Sequence, residues 1–470
     1  MTEFNFPKKY FVYFKSIKSA TLNRKYLHFL FFIFTLLSST LFAQQGFKFI
    51  GANQKTQSIR FQLVNNLIVI PIDVNGKQLS FILDSGVDKT ILFNISKSDS
   101  LDIGLKNIKR ITLQGLGDGL PVEALLSKKN KMKIRDFVSE DEGIYVILND
   151  KFDVSGRMGV TVHGIIGNQL LKNAIVGINY KTKRIDFFNP KTFTYGKCRK
   201  CSVFPLQFYR NKPYLDAKVQ LDTIGKKLTD VKLLVDTGGS DSIWLFEGTK
   251  EEIRTPKKYF KDILGEGLSG TIYGNKSRIK GLQLDKFHFK NPTVSFLDST
   301  STLFARQFKL RNGSVGGNIL RRFKIWFDYP NKKITLKKNA SFFGGFEYNM
   351  SGISLVYNGK ILVKELAVTK LGEFGIDKTR EAGAFTLISS YKFRFKPSYK
   401  IDKILVDSPG ALAGLLPGDV ILSINRVRTH QFTLKQIMGK FQERSGKKIR
   451  LEVERNLKKL KFEFKLLKRI

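Results

Sequence analysis

Apolar residues come in short bursts along most of this chain, broken by Asn-Gly, Gly-Asn and lysine-rich turns. Long stretches at helical spacing are scarce, so the pattern predicts mostly β structure. Two bursts stand out, Phe81-Ile82-Leu83 and Leu233-Leu234-Val235, because each runs directly into an aspartate.

Those two segments belong to an internal repeat. Gly164-Ile165-Ile166-Gly167-Asn168-Gln169-Leu170-Leu171 recurs 149 residues later as Gly313-Ser314-Val315-Gly316-Gly317-Asn318-Ile319-Leu320. The match continues through Tyr180 with Tyr329, Lys183 with Lys332 and Ile185 with Ile334. Upstream, Asp84-Ser85-Gly86 pairs with Asp236-Thr237-Gly238 at an offset of 152. Between these landmarks lies a glycine-rich turn in each copy, Gly115-Leu116-Gly117-Asp118-Gly119 and Gly265-Glu266-Gly267-Leu268-Ser269-Gly270. Each copy therefore reads as apolar strand, Asp-[Ser/Thr]-Gly, glycine hairpin, Gly-apolar-apolar-Gly, and a final hairpin with a lysine in its turn.

An aspartate emerging from a buried strand is costly unless it is hydrogen-bonded or put to use. Two of them, one per pseudo-symmetric lobe, can meet on a shared axis. Carboxylates ~3 Å apart cannot both ionise and so share a proton. The ionised partner can then take a proton from an attacking water, while the protonated one donates to the developing oxyanion. The glycines Gly86 and Gly238 let backbone approach the carboxylates, and Ser85 and Thr237 can bond across the lobe interface. This chemistry requires no metal or cofactor.

The two triplets and two downstream glycine motifs resemble those of the aspartic peptidases, pepsin-like and retropepsin-like, specifically the bacterial branch fused to a PDZ domain. The resemblance covers roughly residues 55–340. It implies Asp84 and Asp236 as the catalytic pair, with Ser85, Gly86, Thr237 and Gly238 supporting the active-site loops. The turns around Gly115, Gly117 and Gly119 and around Gly265, Gly267 and Gly270 correspond to substrate-covering flaps. Val87 and Gly239 stand where the family usually has Ala or Ser. A serine there would favour an ionised carboxylate, so its absence predicts a less acidic working range. Val87 is also bulkier than usual, which leaves a purely structural first lobe as an alternative.

Other candidates carry less chemistry. His163 precedes the first Gly motif and reads as a strand-end polar group, and His288 and His430 have no nucleophile motif beside them. Asp88 and Asp241 are expected to cap or bridge surface loops, and Trp244 to be core.

Past residue 345 the repeat stops. Ser408-Pro409-Gly410-Ala411-Leu412-Ala413-Gly414-Leu415 followed by Pro417-Gly418-Asp419 resembles the bacterial type of PDZ domain. That resemblance implies an α+β module with a second helix from Thr433 to Phe441, and strands near 448–454 and 460–466. It also implies a peptide-receiving loop and edge strand at Gly352, Ile353, Ser354 and Leu355, able to add a C-terminal peptide to the sheet. A module used only for packing or dimerisation is the alternative. The stretch 356–395 reads as an insertion. Expected boundaries are a signal segment at 1–43, lobes at 44–195 and 196–340, and the PDZ-like module at 345–470.

At 470 residues, two to four domains is the natural expectation. Basic residues precede an apolar run from Phe29 to Leu37, and Leu41-Phe42-Ala43 follows small polar residues. That order predicts an export signal cut near Ala43, with an uncleaved N-terminal anchor as the alternative. The expected location is the periplasm, the cell envelope or the exterior. In such an oxidising compartment Cys198 and Cys201 are expected to form a local disulfide, since two cysteines cannot fill a zinc site. The net charge of +41 permits contact with an anionic envelope surface. The bases are scattered rather than interleaved with stacking aromatics, which argues against nucleic acid. The expected function is thus an exported aspartic endopeptidase (a hydrolase acting on peptide or protein substrates) with PDZ-assisted recruitment. Its rivals are a non-catalytic peptide-binding scaffold and an adhesin for envelope polymers.

Overall fold

The computed structural model of the chain describes residues 46–50, 55–93, 103–113, 120–147, 153–221, 227–267, 270–367 and 390–470. The predicted signal segment 1–43 and the turn carrying Gly115, Gly117 and Gly119 lie outside them. The fold is mostly β, with two pseudo-symmetric lobes and a C-terminal α+β domain.

Each lobe is organised around the strand that delivers its aspartate. In the first, Leu67–Val74 and Lys77–Leu83 form a hairpin in which Val74 faces Lys77. Asn75 and Gly76 both take positive φ there, 51° and 90°, the geometry of the two-residue turn that matches strand twist. Strand Gly164–Ile166 then runs parallel to Lys77–Leu83 and antiparallel to Thr90–Leu92. The second lobe repeats this with Lys212–Gln220, Thr229–Val235, Arg311–Val315 and Ile243–Phe246.

The first glycine of each Gly motif is dictated by this insertion. A Cβ on Gly164 would lie 2.3 Å from the Ile91 carbonyl oxygen, and one on Gly313 would lie 1.9 Å from that of Trp244. No side chain fits where three strands come so close.

A third sheet joins the lobes, in the order Cys201–Pro205, Lys333–Lys338, Phe323–Asp328, Ile175–Asn179, Arg184–Phe188, Thr56–Arg60. Each copy supplies three strands, and its centre is the antiparallel pair of Ile175–Asn179 with Phe323–Asp328. The lysines in the two end hairpins, Lys183 and Lys332, both take left-handed φ of 53° and 48°. One apolar cluster runs through this sheet into both lobes, from Phe81 and Leu83 to Leu233 and Val235.

The C-terminal domain has its own core around Ile353, Ile401, Ile424, Ile437 and Val453. Ser408 caps helix Pro409–Leu412 by accepting from the Ala411 amide, and Thr433 with Gln436 forms a reciprocal cap on helix Leu434–Lys440. Buried Asp419 takes both 2.7 Å bonds of an Arg455 fork. The described parts of the expected insertion are strand. Ile353–Ala367 and Ser390–Ile404 form one long antiparallel hairpin, of which only the base belongs to the domain sheet.

Candidate active site

Each aspartate sits one residue past a buried strand, and its amide is fixed by the neighbouring Gly-motif strand. Asp84 donates to the Ile166 carbonyl at 2.8 Å and Asp236 to that of Val315 at 3.0 Å. The amide of Gly86 donates to Asp84 Oδ1 at 2.7 Å, and that of Gly238 to Asp236 Oδ1 at 3.0 Å. The second glycine has no alternative, because a Cβ on Gly238 would lie 2.1 Å from the Asp84 carboxyl carbon.

The hydroxyl residues tie the two loops together across the interface. The Ser85 amide donates to Thr237 Oγ1 at 2.9 Å and the Thr237 amide to Ser85 Oγ at 3.0 Å. Each hydroxyl then donates to the opposite strand, Ser85 to the Val235 carbonyl at 2.6 Å and Thr237 to that of Leu83 at 2.7 Å. All of these groups are buried, so no bond competes with water and the loops hold a fixed spacing.

With the loops locked, the carboxyls of Asp84 and Asp236 come together: a Cβ on Gly86 would lie 3.1 Å from Asp84 Oδ1 and 3.3 Å from Asp236 Oδ1. Burial, then repulsion from Asp236, pushes Asp84 up to about 7. Burial raises Asp236 too, while Arg311 and the amides of Gly238 and Gly239 pull it back. The pair as a whole therefore holds a proton to higher pH than an isolated carboxyl would.

Two cations near the pair do not show in the repeat pattern. Arg311 is 5% exposed, bonded to the Gly313 carbonyl and Ser314 Oγ, with the Phe246 ring 4.9 Å from its guanidinium carbon. Lys212 opens strand Lys212–Gln220, and its ammonium is lowered by burial and by Arg311 while Asp88, Asp84 and Asp236 raise it. The signal for Arg311 lay in the alignment of the copies, since the same offset of 149 places Val162 at its position in the first lobe.

Asp241 is not a surface cap. It is half-buried within an ion triad whose centre is Lys276, 2.5 Å from Asp262 and 3.5 Å from Asp241. Trp244 Nε1 and Ser295 Oγ donate to the same Asp241 oxygen. A surface position was expected because the partners are strands distant in sequence. Burial alone would lower the Lys276 ammonium, but the two carboxylates hold it raised. Lys276 and Asp262 belong to Gly270–Arg278 and Phe260–Gly267, the hairpin that carries Gly265, Gly267 and Gly270. The triad thus anchors that hairpin to the loop following Asp236. His163 accepts from the Ser80 amide through Nδ1 at 3.0 Å, and His288 faces Gln283 in a hairpin of the second lobe.

At the expected peptide-receiving edge, Ile353 and Leu355 lie in the domain core, and Gly352 takes φ of 75° against the Ser408 side chain. Helix Val154–Met158 of the first lobe packs on this strand, with Arg157 3.8 Å from Asp402. Next along the chain, Lys403 donates to Thr271 Oγ1 of the second-lobe hairpin at 2.9 Å. A disulfide joins Cys198 to Cys201 just before the outermost strand of the joining sheet.

Residues 70–170 match the aspartyl protease family model, and residues 401–455 match that of the PDZ domain. No curated protein matches the chain in sequence. Among solved structures, the aspartic proteinase from Irpex lacteus is similar over 62% of this chain and 99% of that one, at 10% identity and a TM-score of 0.41. With both family matches falling on the elements described above, the chain carries an aspartyl protease domain match in its first lobe and a PDZ domain match in its C-terminal module.

Proposed function

We propose that the chain is an endopeptidase in which Asp84 and Asp236 activate a water against a peptide bond. The observation that carries this reading is the convergence of the Asp84 and Asp236 carboxyls on the Gly86 position, held by a reciprocal Ser85–Thr237 lock. Ionised Asp236 accepts the proton of the attacking water, and protonated Asp84 donates to the carbonyl oxygen as it gains charge. The hairpin Phe260–Gly267 with Gly270–Arg278 covers an extended substrate, and its first-lobe counterpart is the turn of Gly115, Gly117 and Gly119. Both domains take peptides or proteins as ligands, and the PDZ domain presents them to the cleft. Support for that role is the bond from Lys403 to Thr271, which puts the domain beside the covering hairpin. Packing of Val154–Met158 against the edge strand favours a second role for the domain, as a brace between the lobes. The site of action is the envelope or exterior, as the signal pattern of residues 1–43 suggests.

Peptide-library cleavage by the chain, beside Asp84→Asn and Asp236→Asn, tests the reading. Each variant should keep the fold by circular dichroism and lose at least about 100-fold in turnover. A statine-type mimic should inhibit the parent chain only. Peptide binding without turnover, unchanged in both variants, would leave a scaffold instead.

A further inference from the structure

The long hairpin of the C-terminal domain is more than its fold requires. Strand Ser390–Ile404 meets the rest of the sheet at Lys400, opposite Val420, whereas among the described residues the stretches 360–367 and 390–397 pair only with each other. An isolated two-stranded ribbon is marginal in water. It usually carries polar side chains on both faces.

This one does not. Leu362 faces Phe395, Lys364 faces Phe393 and Leu366 faces Tyr391, so all six share one face. Its apolar members are open to solvent, with Phe393 at 62%, Phe395 at 71% and Leu366 at 60% exposure. Lys360 and Lys364 share that face, and the Lys364 ammonium lies 3.8 Å over the Tyr391 ring. The opposite face carries Lys392, Arg394 and Lys396 around one acid, Glu365, which two of them pair with. Lys360 and Lys400 add charge at the base. Cations therefore outnumber acids along the arm, within a chain of net charge +41.

Aromatics and leucines on one side, and excess positive charge on the other and at the base, are the composition of a segment that seats in the headgroup region of a bilayer. A protein groove would satisfy the apolar face but leaves the excess charge unexplained. We infer that this arm docks the protein onto an anionic phospholipid surface, with Phe393 and Phe395 entering the acyl boundary. Each nearby cation adds attraction to such a surface, and burial of the two rings adds to it.

The test places a reporter on the arm of the full chain, so that any insertion by the N-terminal segment is not scored. In Phe393→Trp, vesicles of brominated anionic phospholipid should shift the emission to the blue and quench it beyond the parent, whose tryptophans are Trp244 and Trp326. Vesicles of neutral lipid should leave it unchanged, and 0.5 M salt, roughly a 5 Å screening length, should weaken the effect. Adding Phe395→Ser to the reporter should weaken partitioning by at least about tenfold. Quenching no greater than the parent's would overturn the inference, as would an equal response to neutral vesicles. Emission already blue without lipid would mean that the chain covers the face itself. A blue shift that grows with protein concentration would assign the face to a second copy. Either result overturns the membrane reading.

Discussion

Asp84 holds its proton because it is buried beside Asp236, and that sets both a rate profile and a stability profile. The donor is lost as pH rises through about 7, so peptide cleavage should fall on the alkaline side near that value. Burial raises Asp236 as well, against the pull of Arg311, so the acid limb should lie above the ordinary carboxylate range. A pH–rate curve peaking well below pH 4 would contradict the pair. The same shift acts on folding. Asp84 rises from 3.8 in the folded state, so the fold holds a proton that the unfolded chain gives up earlier. Stability is therefore full below about 4 and is lost as pH climbs through about 7. Asp84→Asn removes that loss, so its melting point should exceed the parent's by several degrees at pH 8 and by much less at pH 4. Equal gains at both values would mean that the folded carboxyl titrates normally. Lys276 offers a second residue-scale test. Lys276→Met leaves Asp241 and Asp262 facing each other without their cation, and should cost about 3 kcal/mol in urea unfolding. Adding Asp262→Asn should recover part of that cost, which a lost packing contact would not.

Among the elements, the Gly-motif strands are the least tolerant. Gly313→Ala drives a methyl into the Trp244 carbonyl and should cost about 3 kcal/mol or more. Gly76→Ala meets no atom within 4 Å and bears only its φ of 90°, roughly 1 kcal/mol. Thermal melts of the two variants should therefore separate clearly. This contrast also explains how much could be read in the sequence. Asp84, Asp236 and their glycines stood out because close backbone approach admits one residue type, and that requirement is written locally. Helix caps such as Ser408 and Thr433 are local in the same sense. Arg311, Lys212 and the Lys276 triad were missed because their meaning lies in partners on other strands, and lysine is common everywhere in this chain. The arm of Ile353–Ala367 and Ser390–Ile404 read as an insertion because its alternation has no third strand to satisfy.

Across the whole molecule, the PDZ domain touches both lobes through consecutive residues, Asp402 to Arg157 and Lys403 to Thr271. Phe260, at the base of the Phe260–Gly267 hairpin, packs into the PDZ core beside Tyr348. Lys403→Met should change global stability by less than about 1 kcal/mol, since its bond to Thr271 is a polar one near the surface. Amide exchange in 260–267 should nevertheless quicken if the domain restrains the hairpin, and unchanged exchange would show that it does not. The joining sheet has a consequence for synthesis. Strand Ile175–Asn179 meets Phe323–Asp328 only after nearly the whole second lobe has been made. Until then the newborn first half presents a bare, sticky margin ready to zip onto a neighbouring chain. Something must shelter that margin for the interval, and a cell short of such help should lose this protein to clumping before it is finished.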